Sequence, residues 1–126
     1  MNKEYFGFQK LNVYKDSRAL VRSIYDLLRA YPVEERYALC DQMRRAVISV
    51  PSNIAEGMSR SSLKEQLHYL EISYGSLSEI VCQLDISKDL SYIDEVQYDD
   101  VVSQCKDLSR MMSHMKTFRE QQIGVE

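Results

Sequence analysis

Turn residues are scarce in this 126-residue chain: four glycines and two prolines, with no tryptophan. A β-sandwich or barrel needs far more turns than these can supply, and no stretch alternates apolar and polar residues long enough for a half-buried strand. Helix is the default. No run of about 18 apolar residues occurs, so no membrane span is expected. The first eight residues contain no apolar core of a secretory signal. Three cysteines, Cys40, Cys82 and Cys105, are odd in number, far apart and on helical patterns. They read as reduced core thiols of a cytoplasmic protein. The two histidines, His68 and His114, stand alone, with no Glu-x-x-His or Cys-x-x-Cys neighbour. No metal site or cofactor is therefore expected. No G-x-S-x-G, phosphate loop or G-x-G-x-x-G is present, so the chain is read as non-enzymatic. The net charge of −3 excludes a generally basic nucleic-acid-binding chain.

What is present is helical periodicity, organised around Cys40 to Glu65. Leu39, Met43, Ala46, Val50 and Ile54 fall on one line of a helix, and Tyr37, Val47, Ile48, Pro51, Ala55 and Met58 widen the apolar arc to roughly half the circumference. One bundle core uses a narrower stripe. The remaining arc is a polar seam of Gln42, Arg45, Ser49, Asn53, Glu56 and Arg60. It reads either as a solvated face or as an intersubunit boundary whose register Asn53 and Glu56 fix by hydrogen bonds; amides and a serine in place of long charged side chains favour the second.

Taken in order, an arm over residues 1–11 precedes helix one, expected from Val13 to Ala30 with Val13, Ser17, Leu20, Ile24, Leu27 and Tyr31 inward. Its other face carries Lys15, Arg18, Arg22, Tyr25 and Arg29, a basic stripe with one aromatic. Pro32 ends this helix, and helix two is expected from Glu34 to Met58, kinked rather than broken at Pro51, with Gly57 as its stop. A stop at Val50 with a restart at Ser52 or Asn53 is the alternative. Ser62 and Glu65 form a capping box for helix three, whose seam reads Leu63, Leu67, Leu70, Tyr74, Leu77, Val81, Leu84. Asp94 with Gln97 makes a second box, opening helix four from Glu95 to Gln121; residues 122–126 are expected to fray. One all-α domain follows, an antiparallel up-down-up-down four-helix bundle.

Charge divides along the chain. Residues 1–62 hold ten Lys/Arg against seven Asp/Glu, and residues 63–126 hold six against twelve, giving +3 and −6. Lys15, Arg18, Arg22, Arg29, Arg44 and Arg45 are the candidates for a surface that contacts nucleic-acid phosphates without reading sequence. The alternative is a solvated face on a protein adaptor. Tyr37, Ile48, Asn53, Ala55, Glu56 and Met58 are the candidates for a subunit interface.

Leu11-x-Val13-Tyr14, the segment Pro32 to Leu39 (P-x-E-E-R-Y-x-L), Gln42 to Gly57 (Q-x-R-R-A-x-x-S-V-P-S-N-I-A-E-G), Arg60 to Glu65 and Tyr74 to Glu79 together resemble the bacterial four-helix bundle proteins, some of which are encoded inside intervening sequences of 23S ribosomal RNA genes. The resemblance implies a small cytoplasmic bundle assembled as a ring-shaped homopentamer, with no known catalytic activity. A related branch serves reverse transcriptases of diversity-generating retroelements as an accessory protein and binds nucleic acid through a basic surface. RNA, or a nucleic-acid-processing protein, is the partner that the resemblance implies besides the chain itself.

Overall fold

Four helices account for most of the 122 residues, 3–124, that the computed structural model describes: α1 (Asn12–Leu28), α2 (Leu39–Met58), α3 (Leu63–Asp89) and α4 (Glu95–Gly124). Each packs on its chain neighbours, and α1 also packs on α4, which closes the up-down-up-down bundle. The core is formed along α1 by Val13, Leu20, Ile24 and Leu28, along α2 by Met43, Val47, Val50 and Ile54, and along α4 by Val101, Cys105, Leu108 and Met112. Among the described residues, no helix is long and apolar enough to cross a membrane.

The ends of the helices differ from the expected ones in instructive ways. Helix two does not start at Glu34. Val33–Glu35 form a single 3-10 turn, Ala38 has φ −119° and ψ −101°, and α2 begins only at Leu39. The Glu35 carboxylate accepts from Tyr92 Oη at 2.7 Å, which ties this corner to the α3–α4 loop instead of to a continuing helix. Once started, α2 runs unbroken through Pro51, so the alternative of a restart at Ser52 or Asn53 is excluded. The Ser62 cap forms, its hydroxyl accepting from Glu65 N at 3.4 Å, whereas the Glu65 carboxylate lies 4.0 Å from Arg60. The second box is reciprocal: Asp94 Oδ1 accepts from Gln97 N at 2.8 Å, and Gln97 Oε1 accepts from Asp94 N at 3.0 Å. In the intervening loop Ser91 has φ 62°, and the N–H groups of Ser91 and Tyr92 bond back to Lys88 and Ser87, which closes α3 with a Schellman motif lacking the usual glycine. α4 continues to Gly124, past the expected fraying point at residue 122; the rest of that expectation, residues 125–126, lies outside the described residues, as do residues 1–2 of the arm.

The largest correction concerns α3. Its buried face is Leu70, Ser73, Leu77, Ile80, Gln83, Leu84 and Ser87; Tyr74 and Val81 sit half-buried at the edge, and Leu63 and Leu67 lie outside the main core. Two serines belong to the core line because α2 and α3 approach closely. Ser73 Oγ donates to the Val50 carbonyl at 2.8 Å, Ser87 Oγ to the Gln83 carbonyl at 2.8 Å, and Ser49 and Ser76 share a hydrogen bond at 2.8 Å between the helices. Small hydroxyls with acceptors in reach are satisfied in a core, so their burial costs little.

Gly57 belongs to the same contact. It is the penultimate residue of α2 and has no positive φ, so it does not stop the helix. A Cβ there would lie 2.8 Å from Tyr69 Cβ and 3.3 Å from the Gln66 carbonyl oxygen. Neither atom is the free end of a side chain, so α2 and α3 would have to part. Gly57→Ala is expected to lose about 1–3 kcal/mol of stability despite alanine's better helix propensity, checked by urea unfolding.

The cysteines also divide. Cys40 and Cys105 are buried, but Cys82 is exposed on α3, contrary to the expectation of three core thiols. Burial among apolar neighbours pushes the Cys105 thiol up to about 12, so it packs as a small apolar group.

Candidate nucleic-acid interface

The basic residues of the first half are spread over two separate regions. Along α1, Lys15 pairs with Glu4 of the arm at 3.2 Å, and Arg18 lies over the Tyr14 ring at 5.7 Å. Arg22 is exposed one turn further on. At the far end, Arg29 stands 3.6 Å from Asp26, with most of its side chain in solvent. Antiparallel packing brings that end beside the start of α2, where Arg44 Nη2 donates to Asp41 Oδ1 at 3.0 Å and to the Arg36 carbonyl at 2.9 Å. Arg45 is exposed and lies about 100° around α2 from Arg44.

Arg29, Arg36 and Arg44 share one cleft of about 280 Å³, walled by Tyr31, Pro32 and Cys40. Arg36 was not among the candidates read from the sequence. It lies in the non-helical turn between the 3-10 turn and α2, where a helical wheel assigns it the wrong direction. Its P-x-E-E-R context was the available signal. Burial raises the Cys40 thiol at the cleft wall, with Arg44 acting in the opposite sense.

A second, apolar depression of about 330 Å³ runs between α1 and α2 and is lined by Phe8, Tyr14, Val21, Ile48, Pro51 and Ala55, with Arg18 as its single charged residue and Ser52 beside it. The arm reaches it through a short 3-10 turn, Gly7–Lys10, in which Gln9 Oε1 accepts from the N–H groups of Tyr5 and Phe6 at 2.8 Å each. Phe8 packs edge-on against Tyr14 at 5.0 Å, which leaves Tyr5 and Phe6 exposed.

The six interface candidates occupy five places. Ile48, 44% exposed, and half-buried Ala55 line the apolar depression. Tyr37 is 82% exposed and lies before α2, beside the arginine cleft. Asn53 Nδ2 donates to the Ser49 carbonyl and hydroxyl, both at 2.8 Å, within the α2–α3 contact. Glu56 is exposed, 3.6 Å from Arg60, whose guanidinium also donates to Tyr69 Oη at 3.1 Å and stacks on that ring. Met58 is half-buried, and its sulfur accepts from Arg119 Nη2 at 3.2 Å. The sequence missed Arg119, which also donates to Gln66 Oε1 at 2.9 Å and to the Met115 carbonyl at 3.1 Å, clasping one end of the bundle.

Among the described residues, no group of three His, Cys, Asp or Glu side chains is arranged to hold a metal ion. The arrangement offers guanidinium groups for anions on one side of the bundle and an apolar depression beside them.

Residues 9–114 match the family model described as 23S rRNA-intervening sequence protein. Among solved structures, the chain is similar to a protein with unknown function from the S23 ribosomal protein family of Bacteroides thetaiotaomicron. The likeness has a TM-score of 0.76 at 20% sequence identity and covers 82% of this chain and 97% of that one, which concerns the fold alone. No curated protein matches the chain.

Proposed function

The chain belongs to the family of 23S rRNA-intervening sequence proteins, and on that premise we propose that it is a non-enzymatic, self-associating bundle that binds RNA through the basic side of α1 and the start of α2. One observation carries the RNA reading. Residues 1–62, which include the arm, α1 and α2, carry +3, and residues 63–126, which include α3 and α4, carry −6, so the α1–α2 side is the more basic one although the whole is acidic. Arg18, Arg22, Arg29, Arg36 and Arg45 are exposed on that side. Guanidinium groups displayed in this way contact phosphates and leave base edges unread.

Binding of this kind releases counterions, so it is steeply salt-dependent. Contacts to about five phosphates of single-stranded RNA give a slope near −3.5 in log affinity against log salt. Titration of a labelled RNA at several salt concentrations measures it. Absence of binding at about 50 mM salt removes the reading.

Self-association is supported by the apolar depression between α1 and α2, because its exposed lining needs cover and closed symmetry provides it for identical chains. The copy number proposed is five, the one that the sequence resemblance implies. A second reading, an adaptor for another protein, is favoured by the acidic α3–α4 side and the exposed Ile72, Ile86 and Val96 on it. Pull-down from nuclease-treated cytoplasm separates the two. A protein that survives the nuclease as a partner supports the adaptor, and loss of all partners supports RNA.

A further inference from the structure

We propose that the cleft formed by Arg29, Arg36 and Arg44 is a binding site for a terminal, dianionic phosphate group, either the 5′-phosphate of an RNA strand or free inorganic phosphate. The RNA form of the proposal rests on the nucleic-acid reading above and narrows it to a chain end.

The three guanidinium groups come from separate pieces of chain: the C-terminal cap of α1, the turn after Pro32 and the second turn of α2. Only the reversal at Tyr31–Pro32 brings them together. Arg44 is held in place, one terminal nitrogen donating to both Asp41 and the Arg36 carbonyl. Its Nε and Nη1 have no protein acceptor among the described residues. Arg36 contributes its carbonyl to that arrangement, and its own guanidinium makes no hydrogen bond or ion pair among the described residues. Arg29 is only loosely matched by Asp26, 3.6 Å away.

The acids nearby do not line the cleft. Asp26 and Asp41 pair with Arg29 and Arg44 at 3.6 and 3.0 Å without lining the cleft, and the Glu35 carboxylate accepts from Tyr92. Glu34 is exposed outside the lining. α2 starts at the same corner, with Ala38 providing no side-chain cap for its first N–H groups, so the partial positive charge of a 20-residue helix adds to that of the arginines.

Shape and charge both favour a monoester over a mid-chain diester. A concave cleft of about 280 Å³ admits a terminal group, whereas a continuous backbone would pass across its mouth. A terminal phosphate carries about −1.5 to −2 charges near neutral pH and presents three acceptor oxygens, a match for guanidinium forks.

The test uses the full chain and a short single-stranded RNA carrying either a 5′-phosphate or a 5′-hydroxyl, read by fluorescence anisotropy, with inorganic phosphate as a separate arm read by NMR of the arginine side chains. The 5′-phosphorylated strand is expected to bind about tenfold more tightly at about 50 mM salt. Arg36→Ala should erase that difference and leave the melting temperature unchanged, since the backbone carbonyl that holds Arg44 is retained. Equal affinity for the two strands, with no phosphate-induced shift at Arg36, overturns the cleft and leaves the RNA reading standing. If neither strand binds, the RNA reading fails and the phosphate arm decides. Saturable shifts in wild type that vanish in Arg36→Ala assign the cleft to free phosphate, and unperturbed spectra overturn it.

Discussion

Ile80→Ala is expected to destabilise the bundle by about 2–5 kcal/mol, while Leu67→Ala costs about 1 kcal/mol. Both residues are apolar and both lie on α3. Ile80 is fully buried in the core, where truncation leaves a cavity that its neighbours cannot fill, whereas Leu67 is half-buried outside the main core. Denaturant unfolding of the two variants measures the difference. Equal losses would mean that α3 presents the Leu63–Leu67–Tyr74–Val81 edge to the core, with the phase read from the sequence and not that of the structure. Ser73→Val adds a check in the same measurement. It removes the donor to the Val50 carbonyl and adds bulk in a line where a larger side chain pushes α2 and α3 apart, so a loss of stability is expected.

Ile48→Glu is expected to dissociate the proposed assembly and leave the bundle folded. Ile48 lies at the apolar depression between α1 and α2, off the buried line Met43–Val50–Ile54, and in the single chain it is half in solvent. A carboxylate there costs the isolated bundle little. Within a subunit interface it would be buried with Arg18 as the one cation nearby, at a cost on the order of several kcal/mol per contact where that pair does not form. Arg18 is the one cation lining the depression, so Ile48→Glu combined with Arg18→Ala should dissociate the assembly at least as completely. Light scattering at micromolar concentration reads both variants, and circular dichroism verifies the fold. A wild-type monomer would end the proposal of self-association. A fully assembled Ile48→Glu protein would move the interface to another face, with the Tyr37 corner and the exposed arm residues Tyr5 and Phe6 next in order.

Sequence alone determined the helical class, the number of helices and the lines buried by α1, α2 and α4, because those properties are local. Pro32, Ser62 and Asp94 act on the few residues beside them, and a core line such as Met43–Val50–Ile54 or Val101–Cys105–Leu108–Met112 is written in the 3.6-residue period. It also determined the charge division between the two halves. The tertiary structure decided what depends on a neighbouring element. Along α3 the sequence pattern finds Leu70, Leu77 and Leu84 but passes over Ser73 and Ser87, which count as polar in any periodic pattern; only the acceptors supplied by α2 and by α3's own turn make them core residues. Gly57 was read as a stop, since the approach of Tyr69 that requires it comes from another helix. The polar seam of α2 is uniform along the chain, yet contact with α3 engages Ser49, to which Asn53 bonds within α2, while Glu56 stays in solvent. Arg36 entered no sequence pattern at all. Its meeting with Arg29 and Arg44 follows from a chain reversal and a late helix start, and spacing along the chain carries no record of three side chains converging from a turn and two antiparallel helices.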